Sequence, residues 1–95
     1  MTTTVQSLKA QMLPVLRAYG VLRAGVFGSY AHGDHRPDSD LDLLVELPPG
    51  SSLLDLVGLQ MDLAEALGID VDANTYSALH PLMREQVMAD EVRVL

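Results

Sequence analysis

The chain has 95 residues, enough for one small domain over residues 1–95 with a modest core and no separate substrate-recognition domain. A hydrophobic fraction of 48% excludes disorder, and the absence of cysteine excludes a disulfide scaffold, a thiolate zinc site and a Cys nucleophile. Thirteen acidic against six basic residues give a net charge of −7, a field that repels a nucleic-acid backbone and suits divalent cations, a basic protein partner or plain solubility. No apolar run is long enough to span a bilayer, and the first residues carry neither a basic n-region nor an apolar h-region, so no membrane contact and a cytoplasmic location are expected.

Val5, Leu8, Met12, Val15, Leu16 and Tyr19 recur at helical spacing and predict a first helix, capped by an N-terminal threonine and followed by Gly20. Residues 21–27 read as a buried strand that ends at Gly28-Ser29, with a short helical turn over 29–32 closed by Gly33. Residues 34–39 are polar and turn-like, punctuated by Pro37. Leu41, Leu43, Leu44, Val45 and Leu47 predict a second strand, stopped by Pro48-Pro49-Gly50.

Ser52 is a good N-cap for a helix over 53–67, which Gly68 terminates. On that helix Asp55, Gly58, Asp62 and Glu65 share one side. Apolar residues, interrupted by Gln60, cover the remaining arc of roughly 240°, against the ~100° stripe of an ordinary surface helix. One face packs on the sheet. The rest is expected to meet the first or last helix, with a partner surface as the alternative and Leu54 and Met61 at its margin. Residues 69–73 alternate and predict a third strand, Pro81 opens a last helix to Ala89, and 92–95 suit a short edge strand. The order α-β-α-β-α-β-α places the chain in the α/β class, one sheet with helices against it.

Three features carry chemistry. A strand delivers Gly28 and Ser29 to a helix start, where glycine permits close backbone approach, unpaired N–H groups point outward and the Ser29 hydroxyl adds a donor; such an end suits phosphate. Asp40 and Asp42 are two apart on a strand, hence on one face with Cα atoms roughly 6–7 Å apart, and they repel unless a cation or proton intervenes. Oxygen-only donors favour a hard cation such as Mg²⁺. Asp70 and Asp72 share a face of the third strand, and if that strand lies beside the second, either can complete a three-carboxylate site able to hold two ions.

Other motifs fail. Asp38-Ser39-Asp40-Leu41-Asp42 opens like a calcium loop, but Leu43 and Pro49 stand where glycine and glutamate are needed. His32, His35 and His80 lack zinc-ligand spacing and read as surface or capping residues.

Gly28-Ser29, ten residues, then Asp40-Leu41-Asp42 resembles the Gly-Ser-x10-Asp-x-Asp motif of the nucleotidyltransferases related to DNA polymerase β. The chain is more narrowly similar to minimal nucleotidyltransferase (MNT) domains, over nearly its whole length. The resemblance implies a polymerase β-like core with a small mixed sheet of three to four strands. It also implies that Gly28 and Ser29 hold the β- and γ-phosphates of a nucleoside triphosphate. Asp40, Asp42 and Asp72 become the catalytic carboxylates and the metal ligands, for two Mg²⁺ ions with ATP as substrate. A hydroxyl attacks the α-phosphorus and pyrophosphate leaves. Two positions depart from the pattern: His32 stands where the family has arginine, and Ala73-Asn74 reads as an early end to the third strand.

Such domains are paired with HEPN-domain ribonucleases in toxin–antitoxin systems. The implied function is therefore an antitoxin acting as a protein adenylyltransferase, moving AMP to a hydroxyl of its HEPN partner, a tyrosine by family analogy. The alternatives are an MNT antitoxin that neutralises by binding alone, and a small-molecule nucleotidyltransferase subunit. No direct nucleic-acid contact is expected.

Overall fold

A computed structural model describes residues 5–33, 36 and 38–95. The N-terminal threonine cap, His35 and Pro37 lie outside the described residues. The elements are α1 (Val5–Ala18), β1 (Arg23–Phe27), α2 (Gly28–His32), β2 (Leu41–Glu46), α3 (Leu53–Leu67), β3 (Val71–Thr75), a 3₁₀ turn (Tyr76–Ala78), α4 (Pro81–Ala89) and β4 (Val92–Arg93). The strands form one mixed sheet in the order β3-β2-β1-β4, with β1 antiparallel to β2 and β4, and β2 parallel to β3. The expected α/β class and mixed sheet are both present.

Alternation sorts the side chains to two faces. Ala24, Val26, Leu41, Leu43, Val45, Val71 and Ala73 are buried on one face, under Leu8, Met12 and Leu16 of α1 and Leu59 and Leu63 of α3. Cutting Leu59 or Leu63 to alanine there is expected to cost about 2–5 kcal/mol, because neither residue exposes any surface. The opposite face carries Phe27, Asp42 and Asp72 in one row and Gly25, Leu44 and Asn74 in the next.

Local signals explain most element ends. Ser52 Oγ accepts from Asp55 N while Asp55 Oδ2 accepts from Ser52 N at 2.8 Å, a capping box that starts α3. His80 Nδ1 accepts from Leu82 N at 3.2 Å, so this histidine caps α4 ahead of Pro81. Helix α1 runs through Pro14, which forfeits one backbone bond; fully buried Met12 and Leu16 on either side hold the helix on the sheet.

Two expectations are corrected. The third strand does not end early: Asn74 and Thr75 pair with Leu44 and Val45, because β2 continues alongside them. The apolar arc of α3 is not all covered by helices. Leu53, Leu54, Val57 and Met61 are exposed.

Candidate active site

Asp42 sits in the second position of β2 and Asp72 in the second position of β3, and the parallel register makes them direct partners. On its other side Asp42 is paired with Phe27, the last residue of β1, so the sheet brings Asp42, Asp72 and the start of α2 to one edge. Gly28 opens α2 with φ +69°, a backbone region that L side chains rarely adopt. A Cβ there would collide with Asp42 Oδ2. Glycine is thus required both by the turn and by the carboxylate lying against it.

Asp40 lies one residue before β2 and is exposed; Leu41, which follows it, donates its N–H to Asp70 O at 2.9 Å and locks the parallel pairing at its start. The Asp42 carboxyl is pushed above its ordinary range by burial first, then by the charges of Asp72 and Asp40. Both other candidate carboxylates therefore act on it electrostatically. Among the described residues no three acidic or imidazole groups converge closely enough to hold one ion as they stand. Of the three candidate carboxylates, the strand register pairs Asp42 with Asp72, while Asp40 precedes β2.

The donor set nevertheless fits a divalent cation. It is oxygen-only, the strand register sets Asp72 directly opposite Asp42, and it is backed by a glycine that leaves the carboxylate room. Asp70, the rival third acid, is exposed ahead of β3, and its backbone carbonyl rather than its carboxylate serves the sheet.

The structure also joins residues that pattern-reading missed. Asn74 Nδ2 donates to Asp72 Oδ1 at 3.4 Å, a contact that two-residue alternation along β3 would have suggested. Gln60 Oε1 accepts from Ala73 N at 2.8 Å and covers that N–H of edge strand β3. On the same face as Asp42, Arg23 donates to Glu91 Oε1 at 2.6 Å, Tyr76 donates to Glu91 Oε2, and the Arg23 guanidinium stacks 4.7 Å from the Tyr76 ring centroid. Burial, then the bond to Glu91, raises the Tyr76 hydroxyl above its ordinary value. No sequence signal joined these three. His32 is exposed at the end of α2 with Nε2 3.7 Å from Asp90 Oδ2.

Two concavities flank the sheet. One of about 290 Å³ opens beside Asp38, Ser39, Ile69 and Asp70 at the C-terminal end of α3 and is lined by none of Asp40, Asp42 and Asp72. Another of about 640 Å³ lies at the far end of β2 and β3, among Leu47, Pro48, Leu56, Tyr76 and Arg84, and does not touch Asp42 or Asp72.

A strand ending in Gly-Ser at a helix start, beside an in-register pair of aspartates, defines a nucleotidyltransferase. Residues 10–94 match the nucleotidyltransferase domain family, and the chain belongs to it. It is 44% identical over 91 residues to a Methanocaldococcus jannaschii protein assigned to the protein adenylyltransferases, covering 96% of this chain and 98% of that one. A solved structure of a minimal nucleotidyltransferase is 39% identical, with a TM-score of 0.82 and 95% of each chain covered. The fold also matches a chain of the complex between the tri-AMPylated Shewanella oneidensis HEPN toxin and MNT antitoxin, at 22% identity and a TM-score of 0.72, over 95% of this chain and 71% of that one. No helix among the described residues is long and apolar enough to cross a membrane.

Proposed function

We propose that residues 1–95 act as one minimal nucleotidyltransferase domain, an antitoxin that moves AMP from ATP to a tyrosine hydroxyl of a HEPN ribonuclease in a Mg²⁺-dependent reaction. The observation that carries this reading is the Asp42–Asp72 register pair beside Gly28 and Ser29. The 44% identical relative assigned as a protein adenylyltransferase supports the reaction class, and the AMPylated toxin in the Shewanella complex supports the partner.

In the reaction the acceptor oxygen bonds to the α-phosphorus as the bond to the bridging oxygen breaks, and pyrophosphate leaves. Gly28 and Ser29 bind the β- and γ-phosphates through backbone N–H groups and the Ser29 hydroxyl. Asp40, Asp42 and Asp72 would hold Mg²⁺. When bound, the metal supplies neutralisation of the triphosphate and a lowered pKa for the attacking hydroxyl. Asp72, exposed on the outer strand and opposite Asp42, would take the proton that the acceptor hydroxyl loses as its oxygen bonds to phosphorus. The rest of the catalysis is positioning by a rigid sheet edge.

The test uses ATP labelled separately at the α- and γ-phosphates, incubated with this chain, Mg²⁺ and a HEPN-domain ribonuclease as the acceptor. The expected result is α-label on the HEPN protein, none from γ, and loss of the α-signal with Asp42→Asn. Label from γ instead would mean phosphoryl transfer and would overturn the proposal.

One observation favours the second reading, neutralisation by binding alone. His32 stands where the family pattern has arginine, its imidazole offers fewer N–H donors to a phosphate than a guanidinium, and its Nε2 lies 3.7 Å from Asp90 Oδ2. If His32 limits catalysis, His32→Arg increases the transfer rate; an unchanged rate removes His32 as the reason to prefer masking.

A further inference from the structure

We infer that Gln60 and Asn74 are positioning residues that hold Asp72 in place for the attacking hydroxyl, Gln60 through the backbone and Asn74 through the carboxylate. The inference rests on the adenylyltransferase reading above and adds what keeps its outermost acid in register.

Asp42 and Asp72 are secured unequally. Asp42 lies in β2, which has a strand on each side, and Gly28 closes against its carboxylate. Asp72 lies in edge strand β3, paired on one side only, and is exposed. An exposed side chain on an edge strand keeps its rotamer freedom, and a misplacement of about 1 Å can cost about a hundredfold in rate.

Two contacts meet that need. Gln60 Oε1 accepts from Ala73 N at 2.8 Å, and this N–H belongs to the peptide unit that joins Asp72 to Ala73. The bond reaches out from α3, a helix anchored by fully buried Leu59 and Leu63, and so ties the backbone at Asp72 to the core. Asn74 stands two residues further on, on the same face as Asp72, and its Nδ2 donates to Asp72 Oδ1 at 3.4 Å. Across the sheet Asn74 is paired with Leu44, whose side chain offers no acceptor. With Oδ1 engaged, Oδ2 is the oxygen left for the metal and the proton.

The same contacts account for two polar residues at odds with their surroundings. Gln60 is half-buried and interrupts the apolar arc of α3, where leucine would leave the Ala73 N–H without this acceptor. Asn74 departs from the family pattern, yet it stays in the strand with its amide on the acid. In the transfer step the acceptor O–H bond breaks and its proton passes to Asp72. The freed electron pair forms the bond to the α-phosphorus, and the bond to the bridging oxygen breaks as pyrophosphate leaves. Gln60 and Asn74 take no part in these bonds and act through Asp72.

The test pairs Gln60→Leu with Gln60→Glu, which keeps an acceptor, and Asn74→Leu with Asn74→Gln, which keeps a donor. NMR on the metal-free chains reads Ala73 amide exchange and the Asn74 side-chain amide signal. Steady-state transfer from ATP with Mg²⁺ to a HEPN-domain ribonuclease gives kcat and KM. The Ala73 N–H is expected to exchange about tenfold or more faster in Gln60→Leu than in wild type, and the Asn74 signal to shift in Asp72→Ala. Each leucine variant is expected to lose about tenfold in kcat with KM for ATP within about twofold, and each conservative variant to lie between it and wild type. Wild-type transfer that neither leucine variant slows overturns the positioning roles and leaves the proposed function standing. Equal losses in the leucine and conservative variants, or a change in KM alone, overturn them as well, by showing a general disturbance of the edge strand. An Ala73 amide that exchanges freely in wild type overturns the Gln60 tie. No transfer by wild type overturns both the roles and the adenylyltransferase reading. If Gln60→Leu fails to fold, the Asn74 pair on the exposed face decides.

Discussion

Asp42 and Asp72 face each other across the parallel β2–β3 pair, and burial, then the charges of Asp72 and Asp40, raise the Asp42 carboxyl. A sheet rarely gains from carboxylates in direct register, since like charges opposite each other destabilise the pair. Here the pairing sits at the sheet edge where Gly28 leaves room for the Asp42 carboxylate, which is the arrangement a cation would stabilise.

Burial first, then the charges of Asp72 and Asp40, raise the Asp42 carboxyl, and this predicts a pH-dependent stability. The ordinary carboxyl value is 3.8, and the folded chain holds the Asp42 proton to higher pH than the unfolded chain does. Stability contributed by this group therefore falls as pH rises from the unfolded value through the folded one, and stays at the lower level above it. In metal-free buffer Asp42→Asn is expected to melt higher than wild type at pH 7, with the difference vanishing below about pH 4. Thermal melts across that range check it, and a lower-melting variant at pH 7 would contradict it.

Ligand linkage should be visible in the same melts. ATP with Mg²⁺ at about a hundred times its Kd is expected to stabilise the wild-type chain by about 2.7 kcal/mol, and to leave Asp42→Asn nearly unshifted. A shift of equal size in both would remove Asp42 from the binding set.

Gly28→Ala separates the turn from the chemistry. It forces a side chain into a φ of +69° and onto the Asp42 carboxylate. About 1 kcal/mol of stability should be lost through the backbone. Transfer should fall by about a hundredfold or more, because Asp42 is displaced from its place beside α2. Normal activity in a folded Gly28→Ala chain would show that the carboxylate position is not critical.

Gly25→Ala probes the opposite end of the same face. Gly25 lies under the Glu91 side chain, which Arg23 and Tyr76 hold in place, so an added methyl must displace the carboxylate. The expected cost is about 1–3 kcal/mol, read from denaturant unfolding, with nucleotide affinity unchanged. Full stability would show that Glu91 moves aside freely.

Much of this was legible in the residues, for reasons that differ by element. Gly28, Ser29, Asp40 and Asp42 stand out because a buried strand ending in Gly-Ser and two acids entering a strand each have a local meaning. Ser52 and His80 cap helices as their side-chain chemistry suggests. The register that joins Asp42 to Asp72 was not legible: alternation assigns a face, but a strand's offset is fixed by its neighbours. Ala73-Asn74 read as an early end to the third strand, yet β2 runs beside Asn74 and Thr75 and recruits them into the sheet. The Arg23–Tyr76–Glu91 cluster joins three distant stretches, so no spacing could announce it. The bare stripe of α3 shows the same limit, since apolar periodicity reveals a face but not what covers it.

The most direct test of the central claim is intact-mass spectrometry of the HEPN protein after incubation with this chain, ATP and Mg²⁺, with the Asp40→Asn/Asp42→Asn double variant in parallel. The partner is expected to gain the mass of one or more AMP groups with wild type and none with the variant. A partner that binds tightly yet keeps its mass in both reactions would contradict the transferase claim and leave an antitoxin that works by masking.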